Sequence, residues 1–194
     1  MTVRADRARS PQSNIAFQDE HIRLSVISSR IIRIEKGHFT DLPTQTVWYR
    51  DLGIVPFRWT QDGTKAKLST EDVFYHIDLK RGTVISAELS DGTIVNDLKK
   101  GILPGTARTL DLANGAVKLE RGILSRSGGS MLDDSKSLLL DGDKILYREK
   151  CSDIYYFAFG KDHLGHLKAF YQLTGPVPLI PKFALGNWWS RYKA

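Results

Sequence analysis

From Ile15 to Phe159 the chain reads as short apolar or alternating runs broken by turn dipeptides, the signature of antiparallel strands. Ile22, Leu24 and Val26 alternate with polar neighbours, and Ile31, Ile32 and Ile34 follow a Ser28-Ser29 break. Further runs span Ile54 to Trp59, Lys65 to Leu68, Val73 to Leu79, Val84 to Leu89, Ile145 to Arg148 and Ile154 to Phe159. Asp62-Gly63, Arg81-Gly82, Asp91-Gly92 and Asp141-Gly142 lie between runs, where residues tolerant of positive φ suit tight hairpins. The body is therefore predicted to be a mainly β, antiparallel domain over residues 15–160.

At Lys161 the period changes. Leu164, Leu167, Phe170 and Tyr171 recur at three- and four-residue spacing, which predicts one buried face of a helix. Asp162 is placed to cap its start, and Gly175 with Pro176 to stop it. Pro176, Pro178 and Pro181 then impose an extended connector, closing a bridging segment of 161–182. The apolar run Phe183 to Trp189 reads as a final strand. Adjacent Trp188 and Trp189 have no later element to pack against, so 183–194 is expected to be the start of a truncated further domain, the alternative being a strand that completes the sandwich.

Composition adds limits rather than a function. The 28 basic and 22 acidic residues give a formal charge of +6, but they are interspersed. Only Arg4, Arg7 and Arg9 cluster, in a polar segment, 1–14, expected to be disordered. No nucleic-acid recognition motif accompanies the charge, so no nucleic-acid partner is expected. Cys151 is the only cysteine, which excludes an intrachain disulfide and a thiolate-rich metal site, and it reads as a half-buried strand residue. The basic start leads into Ser10-Pro11-Gln12-Ser13-Asn14 rather than an apolar run, and no stretch approaches the ~20 apolar residues of a membrane helix. A cytoplasmic location and no membrane partner are the resulting expectations.

Candidate chemistry is sparse. His21, His38, His76, His163 and His166 lack metal-ligand spacing, and His163 and His166 read as solvated helix residues. No metal and no cofactor is expected. Ser125, Ser127 and Ser130 lie near Gly128-Gly129 without the G-x-S-x-G of a nucleophile elbow or the lysine of a phosphate loop. Asp133 and Asp134 are adjacent, so on a strand they point to opposite faces and suit turns and caps better than a glycosidase pair, whose carboxyls stand ~5–5.5 Å apart in retaining enzymes.

The segment from Asp153 to Tyr192, DIYYFAFGKDHLGHLKAFYQLTGPVPLIPKFALGNWWSRY, resembles the junction between the amino-terminal sandwich and the catalytic barrel of glycoside hydrolase family 31, which includes α-glucosidases and α-xylosidases. Leu119 to Ser135, LERGILSRSGGSMLDDS, is similar to the family's loop before the last sandwich strands, and Phe17-Gln18-Asp19 and Pro43-Thr44-Gln45 fit more weakly. The resemblance implies an antiparallel β-sandwich of the galactose-mutarotase-like kind, one helix, and the first strand of a truncated (β/α)8 barrel. It implies that the catalytic aspartates lie on later barrel strands, so this chain holds no catalytic residue and is inactive alone. Its partners would be an α-linked oligosaccharide or glycoside in the intact enzyme and its own missing barrel. Barrel sites lie at the carboxyl ends of strands, which would bring Asn187, Trp188, Arg191 and Tyr192 closest to substrate. A sandwich loop also reaches the family's sugar pocket, often with an acidic residue after a Ser-Arg or Thr-Arg pair. Here Ser125-Arg126 is followed by Ser127, a weaker neutral partner for a hydroxyl. The alternative is a non-catalytic carbohydrate-binding or scaffolding β-sandwich module.

Overall fold

A computed structural model describes residues 5–107, 112–176 and 179–186. Its strands are β1 (Ile15–Gln18), β2 (Ile22–Ser28), β3 (Ile31–Gly37), β4 (Arg58–Asp62), β5 (Lys65–Ser69), β6 (Val73–Asp78), β7 (Thr83–Leu89) and β8 (Ile94–Val95). β9 (Ile102–Pro104), β10 (Arg121–Ser125), β11 (Gly129–Asp133), β12 (Leu139–Asp141), β13 (Lys144–Leu146) and β14 (Cys151–Ala158) follow, and then helix α1 (His163–Thr174). One five-stranded sheet has the order β1-β2-β3-β14-β11, the other β4-β5-β6-β7-β8, and β9-β10 and β12-β13 form two-stranded ribbons. All these pairings are antiparallel.

The two five-stranded sheets pack face to face around one apolar layer. Leu24, Val26, Ile32, Ile34, Tyr156 and Ala158 come from the first sheet and Leu68, Val73, Tyr75, Ile77, Ala87 and Leu89 from the second. Alternation then assigns the other faces. The second sheet turns Lys65, Lys67, Ile85 and Glu88 outward to water, whereas the first is buried on both sides. On its outer side Ile27, Ile31, Tyr155 and Phe157 pack against Val47, and against Ala169 and Leu173 of α1. Among the described residues the chain thus forms a mainly β antiparallel sandwich with one α-helix.

The four turn dipeptides sit where the pattern placed them. Gly63, Gly82, Gly92 and Gly142 have φ of 55°, 59°, 85° and 58°, values that cost a side chain its Cβ clearance. Three other expectations change. The tail expected to be disordered is docked from Ala5 onward. The Arg7 carbonyl accepts from the Arg50 and Asp51 amides at 2.8 and 3.0 Å, and fully buried Asn14 bonds Gly53 O and the Val55 amide at 2.9 and 3.1 Å. Short polar side chains here serve backbone groups of the 50–55 segment, which composition does not reveal. The strand expected from Ile54 starts only at Arg58. The strand expected from Phe183 begins as a 3-10 turn, Lys182–Leu185, and residues 187–189 lie outside the described residues.

Helix α1 is capped as predicted. Asp162 accepts from the Gly165 amide at 2.8 Å, and Gly175, at φ 87°, ends it with its amide on Tyr171 O. The predicted buried face is rotated, however. His166, Ala169 and Leu173 are the buried residues, while Leu164 and Tyr171 are exposed and Leu167 and Phe170 are half-buried.

Candidate functional site

Three places on or beneath the outer side of the first sheet gather the chemistry-bearing residues. The first is the turn joining β10 to β11. Ser125 and Ser127 both donate a hydroxyl to Lys100 O, at 3.0 and 2.9 Å, with 2.7 Å between the two oxygens, and the Arg126 amide reaches Gly101 O at 2.8 Å. Gly128, at φ 85°, lets the chain cross Gly160 so closely that a Cβ would lie 2.7 Å from the Gly160 Cα. The turn is therefore held rigidly, with the Ser127 hydroxyl committed to a backbone carbonyl and the Arg126 side chain exposed.

β10 and β11 leave this turn without pairing to each other. A groove of about 920 Å³ opens beside them, lined by Leu103, Ile123, Leu124, Met131, Leu132 and, from α1, Leu167 and Phe170. Lys99, Glu120, Arg121 and Asp133 add charge of both signs to its lining.

Beneath the neighbouring segment lies a buried ionic cluster. Arg33 and Glu35 share the parity of Ile31 on β3, so they face the same outer side, and the registers Asp153↔Glu35 and Arg23↔Glu35 bring their partners alongside. Arg33 grips Asp153 through two bonds of 2.8 and 2.7 Å, and its Nη2 lies 2.9 Å from Glu35. Arg23 reaches Glu35 at 2.6 Å, and Arg148 reaches Asp153 at 2.6 Å. Arg50 bonds the Tyr155 hydroxyl at 2.7 Å and lies 3.9 Å from Asp134, which accepts from the Thr44 hydroxyl.

Burial by itself would raise the Asp153 pKa, but the opposing charge and hydrogen bonds of Arg33, with Arg50 and Arg148 behind them, hold it well below the ordinary carboxylate range. Burial pushes Asp134 the other way, to a raised pKa. Every oxygen of this cluster is enclosed and engaged. Such carboxyls hold the 40–50 segment and the sheet together and have no access to a substrate proton.

Asp133 and Asp134 do face opposite ways. Exposed Asp133 accepts from the Ser135 amide and hydroxyl at 3.0 and 2.6 Å, a turn role as expected, whereas Asp134 belongs to the cluster. His163 is exposed. His166, expected to be solvated, is instead buried between the rings of Phe157 and Phe159, with centroids 5.0 and 4.8 Å away, and its Nε2 lies 3.1 Å from Ser130 Oγ. Burial lowers its pKa to about 4, so at neutral pH the ring is uncharged. The Ser130–His166 contact is enclosed, and among the described residues no carboxylate is hydrogen-bonded to the imidazole, so the contact serves to hold α1 to the sheet. Cys151, half-buried on β14, fits its expected place.

Of the residues expected to approach substrate, Ser127 is on the rigid turn. Asn187, Trp188, Arg191 and Tyr192 lie outside the described residues. Among the described residues no three His, Cys, Asp or Glu side chains converge as a metal site, and no helix is long and apolar enough to cross a membrane.

No family model matches the sequence, and no curated protein does. Solved structures do. A glycoside hydrolase family 31 dextranase from Flavobacterium johnsoniae, complexed with glucose, aligns at 16% identity and a TM-score of 0.47 over 85% of this chain and 27% of its own. A mutant of that dextranase bound to isomaltotriose aligns over the same shares at a TM-score of 0.44. A family 31 α-xylosidase from a soil metagenome, complexed with xylose, aligns at 11% identity and a TM-score of 0.49, over 89% of this chain and 35% of its own. The chain thus spans about a quarter to a third of the length of these structures.

Proposed function

We propose that this chain is the amino-terminal β-sandwich of a retaining α-glycosidase of glycoside hydrolase family 31, supporting a catalytic barrel and bringing the 125–130 turn to the edge of its sugar pocket. Beyond the sequence resemblance, one observation carries the reading: α1 turns apolar residues away from its own sandwich. The core closes on His166, Ala169 and Leu173, yet Leu164 stays exposed. The exposed series continues with Leu179 (95%), Ile180, Phe183 (84%) and Leu185. So many large apolar side chains in one short stretch suit a surface that another domain covers.

Glycosidic cleavage needs two carboxyls flanking the bond. The enclosed carboxyls of the described residues are tied to arginines or a threonine, so in this reading the acid and the nucleophile come from the barrel, acting on an α-linked glycoside by double displacement. The rigid turn would shape the pocket rim through Ser127 or the exposed Arg126. The test joins two measurements. Purified chain 1–194 is expected to hydrolyse neither aryl α-glucoside nor aryl α-xyloside above background, and the gene's reading frame after Ala194 is expected to encode a barrel with two strand-end aspartates. Turnover abolished by a substitution within 1–194, or a frame without such a barrel, overturns the proposal.

A further inference from the structure

A second concavity lies at the C-terminal end of α1. It is a hollow of about 380 Å³ lined by Arg7, Ser28, Tyr49, Leu52, Tyr171, Gln172 and Pro176. That volume is within the ~300–1,000 Å³ typical of small-ligand sites. From its volume and chemistry we propose that it is a binding site for a neutral sugar, built between the sandwich and the end of α1.

The walls are fixed. The Trp48 and Tyr49 amides both donate to Leu173 O, at 3.1 and 3.0 Å, which pins the strip carrying Tyr49 to the last turn of α1, where Tyr171 and Gln172 project. Gly175 presses so close to the Trp48 indole that a Cβ would stand 2.9 Å from the ring, and this brings Pro176 into the wall. Arg7 is anchored by two bonds to Asp51 O, at 3.2 and 3.0 Å, with its guanidinium 5.2 Å from the centroid of the Tyr49 ring.

The lining selects the ligand class. Among the described residues Arg7 is the one charged member of the lining, and its Nε and Nη2 both donate to Asp51 O, so most of what the wall offers a ligand is neutral donors and acceptors. The Tyr49 and Tyr171 hydroxyls and the Gln172 amide make no hydrogen bond among the described residues. Tyr171 leaves 45% of its surface open. An aromatic surface beside free donors and acceptors matches a pyranose, whose C–H face is apolar and whose rim carries hydroxyls.

The experiment is calorimetric titration of the 194-residue chain with maltose and with isoprimeverose. Saturable binding of at least one is expected, weakened about tenfold or more by Tyr171→Ala and by Gln172→Ala and unchanged by Glu88→Gln on the outer face of the second sheet. Both hollow residues are exposed, so unchanged thermal unfolding will verify that the variants remain folded. Absence of saturable binding for both sugars, binding indifferent to the two hollow variants, or binding lost with Glu88→Gln overturns the inference. None of these outcomes bears on turnover or on the reading frame, so the glycosidase proposal is judged separately.

Discussion

Asp153→Ala removes the anion at the centre of the buried ionic cluster. Wild-type Asp153 accepts two bonds from Arg33 and one from Arg148, and all three side chains are between 0 and 3% exposed. Arg33 would keep Glu35 at 2.9 Å and Thr40 O at 3.2 Å, but Glu35 is already shared with Arg23. One guanidinium charge is then buried without compensation, for which the expected cost is roughly 3–5 kcal/mol. With a urea m-value near 2 kcal/mol/M for a small domain, the unfolding midpoint should fall by about 2 M at unchanged m. Replacing the pair together, Arg33→Met with Asp153→Leu, strands less charge and should cost less than Asp153→Ala alone. The dependence on pH follows in sign. Because the folded-state pKa of Asp153 lies below its unfolded value of ~3.9, its contribution is complete above that value and is lost as pH falls through the folded pKa, so wild type and Asp153→Ala should converge in acid. A midpoint shift under about 0.5 M at pH 7, or a double variant as costly as the summed singles, refutes the reasoning.

His166 provides a second pH signature. Its folded pKa of about 4 lies below the unfolded 6.5, so stability should be full above about pH 6.5 and decline toward pH 4, by up to roughly 3 kcal/mol. Urea midpoints of His166→Phe measured across that window should lack the decline, and an equal slope in both proteins would refute it. Gly128→Ala, which drives a Cβ into the Gly160 backbone, should destabilise by more than about 2 kcal/mol, whereas Gly142→Ala, at φ 58° with open space around it, should cost only the ~1–2 kcal/mol of left-handed geometry. Thermal denaturation of the two side by side checks the order. Asp162→Ala should lose the helix cap and about 1 kcal/mol, read as a lower midpoint with native circular dichroism.

Local rules made half of this molecule legible. Asx-Gly and Arg-Gly turns, the strands β2, β3, β5, β6 and β7, and both ends of α1 follow from neighbouring residues alone. What escaped depends on partners remote in sequence. Arg33 and Asp153 meet 120 positions apart, and nothing near either residue names the other. A signal did exist: β3 carries isoleucines at both parities with Arg33 and Glu35 among them, the mark of a strand covered on both sides, whose charges must then be paired. For α1, Leu164 and Tyr171 outweighed His166 in the pattern, because hydrophobicity ranks an imidazole as polar although aromatic neighbours can enclose its neutral form. β9 and β10 are short and carry Pro104 and Gly122, so no alternation marks them. Of the candidate sugar-facing residues only Ser127 can be placed, on a turn whose shape rests on Gly128 and Lys100 O.

The pairing of β14 between β3 and β11 has a consequence for biosynthesis. Phe157 registers with Ile31, so the whole second sheet is translated between two strands that end side by side. On the ribosome, β4 to β8 form a succession of neighbouring hairpins and can zip as they emerge, while the far edge of β3 waits open until β14 is made. During that interval an apolar edge is offered to any other extended segment, and chaperone cover over nascent β2 and β3 would matter more to yield than the final stability of the domain.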